Sequence, residues 1–122
     1  MEWAKLKDAR VLVVEDSWQI ATALKTLLRR IGAEVIGPAA TLAEAEQLTA
    51  EQKFDFAVVD INLKGEATYP LIDKLHDQGV RVVVATSYTA LPQTTEQKIA
   101  AIVHKPFSEP QLLAALYQAA LD

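Results

Sequence analysis

Asp60 follows directly on the apolar run Phe56-Ala57-Val58-Val59, and Glu15-Asp16 follow on Val11-Leu12-Val13-Val14. Burying an unpaired charge costs several kcal/mol or more, so each acid belongs where its strand leaves the sheet. In open parallel sheets that edge is where ligands bind. Thr86 and Lys105 end two further β-branched runs. Carboxylates gathered at one edge oppose each other's ionisation unless a cation relieves them. Ligands that are all oxygen favour a hard cation. Mg²⁺ suits best, because it takes one or two carboxylates, keeps waters and completes its octahedron with phosphate oxygens. An aspartate can also be a nucleophile that forms an aspartyl phosphate. Positioning and charge neutralisation supply most of the catalysis in phosphoryl transfer. Lys105 would neutralise from the side opposite the metal, and Thr86 offers a hydroxyl to a phosphate oxygen.

The elements that must position these groups follow from hydrophobic period. Arg10–Glu15 is a first short strand. Ser17 opens a helix whose Ile20, Leu24, Leu27, Leu28 and Ile31 share one face, stopped by Gly32. Residues 33–37 form a weaker strand closed by Pro38, and Thr41 with Glu44 makes a capping box for a second helix. The central strand spans residues 56–59, and Lys64-Gly65-Glu66 reads as a loop. Pro70 leads a third helix that ends at Gly79. Val80–Ala85 is a strand, 91–98 a short, mobile helix, and Ile99–Val103 the last strand. Ser108 with Gln111 caps the final helix. Strand and helix alternate five times. The expected fold is α/β, a flavodoxin-like (βα)5 sandwich with parallel strand order 2-1-3-4-5.

The 122 residues form one domain, 1–122, with no cysteine for disulfide or thiolate chemistry. A net charge of −4 argues against a nucleic-acid surface. No run nears the roughly 20 apolar residues that span a bilayer, so no membrane partner is expected. Met1-Glu2-Trp3 is not the basic start of an export signal, and a cytoplasmic protein is expected.

Over nearly its whole length the chain resembles the receiver domain of two-component response regulators. The matching residues are Glu15-Asp16 after V-L-V-V, Asp60 after A-V-V, Thr86 in V-A-T-S, and Lys105-Pro106-Phe107. The resemblance implies that Asp60 accepts phosphate from a histidine kinase or a histidine phosphotransfer protein. It implies that Asp16 binds Mg²⁺ directly, Glu15 acts through water and Asn62 contributes its backbone carbonyl. Lys105 would pair with the phosphoryl group, with Lys105-Pro106 a cis peptide. Slow self-phosphorylation from small donors and self-dephosphorylation would be its only enzymatic activity. The output would be an altered face of fourth helix, fifth strand and fifth helix, read by a downstream protein partner. If the chain is complete at Asp122, output would be a protein contact or phosphate relay and not DNA binding. Two departures matter. The family's aromatic three residues before the lysine is Ile102 here, and Tyr88 is the alternative switch residue. The segment V-V-A-T-S-Y also resembles in part the F-A-T-G-Y segment of a single-domain stress-response subgroup, with Val84 for its Phe, Ser87 for its Gly and Arg81 for the Pro that usually begins the motif.

Plainer readings compete. Glu15-Asp16 could be only a helix N-terminus, where acids are favoured. Asp60 could be a turn residue, Thr86 a strand former and Lys105 solvated, but those readings leave four strand ends unrelated. Trp18 either anchors a docking partner beside the crevice or covers the sheet edge. Trp3 packs loosely or not at all. His104 should point away from Lys105, and His76 lies on a helix surface. A small haloacid-dehalogenase-like phosphatase uses similar groups, but has a second Asp where Asn62 stands. A receiver-like module that binds without phosphorylation is the other alternative. No glycine-rich loop follows the first strand, which disfavours flavin or dinucleotide binding.

Overall fold

In the computed structural model residues 6–121 are described, and Trp3 lies outside them. The elements are β1 (Arg10–Val14), α1 (Trp18–Arg30), β2 (Glu34–Ala39), α2 (Leu42–Glu51) and β3 (Phe56–Asp60). They continue with β4 (Asn62–Leu63), β5 (Glu66–Ala67), α3 (Tyr69–Asp77), β6 (Arg81–Thr86), α4 (Gln93–Glu96), β7 (Ala101–His104) and α5 (Glu109–Leu121). The main sheet runs β2-β1-β3-β6-β7, all parallel. Counting its five strands in chain order gives 2-1-3-4-5, the flavodoxin-like arrangement.

Side chains alternate across the sheet and supply two cores. Val11, Val13, Phe56, Val58, Val83, Ala85 and Val103 face Leu24, Leu27 and Leu28 of α1 and Leu112 and Leu116 of α5. Leu12, Val14, Ala57, Val59, Val82 and Val84 face Ala45 of α2 and Leu71, Ile72 and Leu75 of α3. Burying a side chain of this size contributes about 1.5–3 kcal/mol, so both faces of β3 hold it in place. Every β3 residue, Asp60 included, is buried. The central strand therefore delivers its acid to a fixed point.

Boundaries differ where backbone geometry overrides the pattern. Pro38 does not close the second strand, because β2 continues through it to Ala39. It is an edge strand, and there a residue without an N–H is tolerated. Its register against β1 slips between Leu12 and Val14, whose partners are Ile36 and Ala39. Gly37 makes that slip at φ 97°. A Cβ added there would lie 2.8 Å from both Ala39 N and Val13 O. Gly37→Ala should therefore destabilise the fold by about 2 kcal/mol or more, read as a lower denaturation midpoint with unchanged slope. An unchanged midpoint would show that the bulge is not rigid.

The segment read as a loop at 64–66 is a hairpin turn between β4 and β5, which pair antiparallel. Lys64 (φ 50°) and Gly65 (φ 91°) are both left-handed, as a type I′ turn demands. The fourth and fifth sheet strands begin one and two residues later than the pattern suggests, at Arg81 and Ala101. Ile99 packs into the second core instead of extending β7. Only one helical turn, Gln93–Glu96, forms within 91–98.

Candidate functional site

Strand order makes β1, β3, β6 and β7 consecutive, so their C-terminal ends form one edge. Asp60 pairs in register with Ala85, and Thr86 with His104. The Lys105 N–H donates to the Thr86 carbonyl at 2.8 Å, which fixes where that side chain leaves β7. The acids of β1 lie just beyond Val14.

Lys105 Nζ donates to Glu15 Oε1 at 2.5 Å and to Asp60 Oδ2 at 3.0 Å. Glu15 is 2% exposed and Asp60 9%. The other carboxylate oxygens take main-chain donors. Ser17 N–H reaches Glu15 Oε2 at 3.0 Å, Asn62 N–H reaches Asp60 Oδ1 at 3.3 Å, and Lys64 N–H reaches Asp16 Oδ2 at 3.0 Å. One carboxylate oxygen from each of Glu15, Asp16 and Asp60 lies within 4.8 Å of the others. Such a group could hold a divalent cation, and the all-oxygen donor set fits Mg²⁺.

A buried ion pair is weak evidence for stability, since apolar groups of equal volume often do better. Two buried acids and a lysine sharing hydrogen bonds therefore point to chemistry. Burial raises the Glu15 carboxyl above 4.5, against the lowering influence of Lys105 and the Ser17 N–H; the Asp60 charge adds to the rise. Burial alone would lower Lys105, but its hydrogen bonds to Glu15 and Asp60 win and hold it above 10.5. Burial prevails at Glu15, whose side chain is 1% exposed and which also faces the Asp60 charge, whereas the bonds to two carboxylates prevail at Lys105, 15% exposed.

The signs give a pH prediction. Folding favours protonated Glu15, so its contribution to stability is full below pH 4.5 and is lost as pH climbs through the raised value. Folding favours charged Lys105, whose contribution persists below pH 10.5 and is lost as pH climbs through its own raised value. A proton on Glu15 also competes with a cation. Mg²⁺ affinity, measured by calorimetric titration, should fall as pH drops through a window that opens above the ordinary carboxylate value. A flat profile through that window would remove Glu15 from the cation site.

Thr86 is 1% exposed, and its Oγ1 accepts the Tyr88 N–H at 3.0 Å. Tyr88 is 42% exposed, yet its hydroxyl accepts Asn62 Nδ2–H at 3.2 Å, so it touches a residue of the site. Ile102 lies exposed on β7, away from the cluster, and His104 is also exposed. Trp18 is 78% exposed at the start of α1 and does not cover the sheet edge. A groove of about 460 Å³ beside Lys105 is lined by Ile20, Ala23, Pro106 and Phe107 among others. The Lys105–Pro106 peptide is cis.

Two features were not foreseen. The Lys64 N–H on Asp16 exists because the hairpin turn brings that amide back over β1. Thr68, wholly buried, donates its hydroxyl to the Asp60 carbonyl at 2.6 Å. Only the turn chemistry of Gly65 hinted at the first, and nothing in the pattern signalled the second.

The model of the response regulator receiver domain matches residues 11–117. An uncharacterized transcriptional regulatory protein, YbdJ, of Bacillus subtilis (strain 168) is 33% identical over 79 residues, covering 65% of this chain and 34% of that protein. Among solved structures, the response regulator PhyR from Brucella abortus superposes with TM-score 0.82 at 27% identity, over 98% of this chain and 51% of that one. A Burkholderia pseudomallei response regulator, with a phosphorylated aspartic acid, calcium ion and citrate, gives 0.76 at 30% identity, over 93% and 69%. The chain thus spans about a third of YbdJ and about half of the PhyR chain. Among the described residues no helix is long and apolar enough to cross a membrane. With the family model spanning all four strand ends that carry the acids, the threonine and the lysine, the chain belongs to the response regulator receiver domain family.

Proposed function

We propose that the chain is a phosphoacceptor switch in which Asp60 takes a phosphoryl group from a histidine kinase or histidine phosphotransfer protein. The observation that carries this reading is Lys105 Nζ bonded to both Glu15 and Asp60 at the sheet's C-terminal edge. A carboxylate oxygen of Asp60 attacks phosphorus, the bond from phosphorus to the donor's imidazole nitrogen breaks, and the electron pair leaves with the imidazole. Glu15, Asp16, Asp60 and the main-chain carbonyl of Asn62 would hold Mg²⁺. When bound, that ion supplies charge neutralisation for the phosphoryl oxygens. Lys105 gives up Asp60 to meet the incoming phosphoryl group, and Thr86 turns its hydroxyl toward it. The Burkholderia relative, with its phosphorylated aspartic acid and bound cation, supports the acceptor role.

A phosphoryl group adds about −1.5 to −2 charges at one spot. Drawing Thr86 inward releases the Tyr88 N–H, and Tyr88 must then also change its hold on Asn62. That links the site to the surface of α4, β7 and α5, where Tyr88 or Ile102 would alter the contact with a downstream protein. Trp18 and the groove beside Pro106 and Phe107 would receive the phosphodonor. Working in the cytoplasm, this domain would signal through a protein contact, and its V-V-A-T-S-Y segment supports a reading in stress signalling.

Incubation with Mg²⁺ and acetyl phosphate should add one phosphoryl group by intact mass, removable by hydroxylamine as an acyl phosphate is. No adduct with small donors or with any histidine kinase would refute the reading. Steady turnover of phosphate esters would favour the phosphatase alternative instead.

A further inference from the structure

We infer that Thr68 is a positioning residue for the acceptor: its hydroxyl clamps the Asp60 carbonyl and so aims the Asp60 carboxylate. The inference rests on the reading of Asp60 as phosphoacceptor. Thr68 stands at the N-cap of α3, where a threonine ordinarily lends its oxygen to an amide of the first turn. Here no side-chain cap bond forms, and Pro70 removes one of the amides that would need it. The hydroxyl turns back to the strand end, 2.6 Å from Asp60 O and 3.1 Å from Ile61 O. Ile61 O already accepts the Thr68 N–H at 2.8 Å. Of the two hydroxyl contacts, the one to Asp60 O is the shorter by half an ångström, so Asp60 is the principal acceptor.

The consequence is rotational. Holding the Asp60 carbonyl fixes the peptide between Asp60 and Ile61 and, through it, the path to Asn62. The Asn62 N–H then reaches Asp60 Oδ1 while Lys105 reaches Oδ2. Asp60 is thus held from behind by Thr68 and in front by two donors on its carboxylate. Thr68 is 0% exposed, so water cannot replace the lost donor at no cost. Misplacing a reacting group by about 1 Å can cost on the order of 10²-fold in rate.

The test compares Thr68→Ser with Thr68→Ala. Both lose the same methyl group, so the hydroxyl is all that separates them. Two readouts are taken. The first is phosphoryl uptake from acetyl phosphate with Mg²⁺. The second is the Asn62 amide signal in ¹H–¹⁵N spectra without metal or donor, which reports the bond to Asp60 Oδ1 directly. The serine variant should take phosphate within about twofold of the unchanged protein and keep the Asn62 signal. The alanine variant should be slower by roughly ten- to hundredfold, with the Asn62 amide proton shifted upfield and exchanging faster. Equal uptake by the two variants would overturn the inference. If no form takes phosphate, the acceptor reading of Asp60 fails by itself. The amide signal then decides the positioning role: displaced only in the alanine variant it stands, unmoved it falls.

Discussion

Asp60→Asn is expected to abolish phosphoryl uptake while leaving the fold nearly intact. The substitution keeps the shape of the side chain but replaces an anionic oxygen by a neutral amide oxygen, which is a poor nucleophile. Lys105 can still donate to that oxygen. The new amide NH₂ then faces the Asn62 N–H, donor against donor, where Oδ1 accepted before at 3.3 Å. That loss is one modest hydrogen bond, about 1 kcal/mol. Removing a charge from the cluster works the other way, since Asp60 helps to raise Glu15. The two effects nearly cancel, so the thermal midpoint should move little. Mg²⁺ binding should weaken, because one of three carboxylates is gone. Intact mass after acetyl phosphate checks the main claim. An adduct that persists in Asp60→Asn would place the acceptor elsewhere and dismantle the proposed switch.

The charges gathered around Asp60 were legible because strand ends follow from simple pattern. Val11–Val14, Phe56–Val59 and Val82–Ala85 are β-branched or apolar runs that helices would not use, and each is followed by a polar group. Geometry also disposes of the plainest competing reading, that Glu15-Asp16 merely start a helix. Ser17 caps α1, and no acid lies in its first turn. Asp16 instead accepts an amide from the hairpin turn, and Glu15 accepts Lys105.

What pattern could not reveal are bonds whose partners are chosen by the path of a loop. Lys64-Gly65 lacks the Asn or Asp that usually announces a type I′ turn, so the hairpin read as loop. Pro38 usually ends a strand, and only its place on a sheet edge permits otherwise. Thr68 carries the signature of a helix cap, yet spends its hydroxyl on the strand eight residues earlier. Tyr88 is the intermediate case. Its position suggested a switch, while its bond to Asn62 depends on how two loops approach each other.

Lys105→Met should produce the second large effect, and it separates two roles of one side chain. Without added metal, Lys105 is the cation that Glu15 and Asp60 share. Its side chain is 15% exposed and theirs are 1% and 12%, so solvent screens the cluster little. Removing one partner of such a pair costs about 3 kcal/mol, because a buried charge is left uncompensated. For a chain of this size that lowers Tm by roughly 10 °C. Glu15, already raised by burial, can recover part of the loss by taking a proton, so the deficit should shrink toward acid pH. Added Mg²⁺ should also recover it. In the unchanged protein the cation must compete with the ammonium group for the same two carboxylates. In the methionine variant it meets no competitor, and its stabilisation, which grows as RT ln(1 + [L]/Kd), should be larger. Thermal melts of both forms across a Mg²⁺ series check this, with the larger rise expected in Lys105→Met. Equal rises would mean that lysine and metal do not contend for Glu15 and Asp60. Phosphoryl uptake should meanwhile be slow in the variant even at saturating Mg²⁺, because no other described side chain makes both of these bonds. On the proposed switch, the metal would replace the lysine as a counter-charge for the fold, but not as the second cation expected to meet the phosphoryl oxygens from the other side.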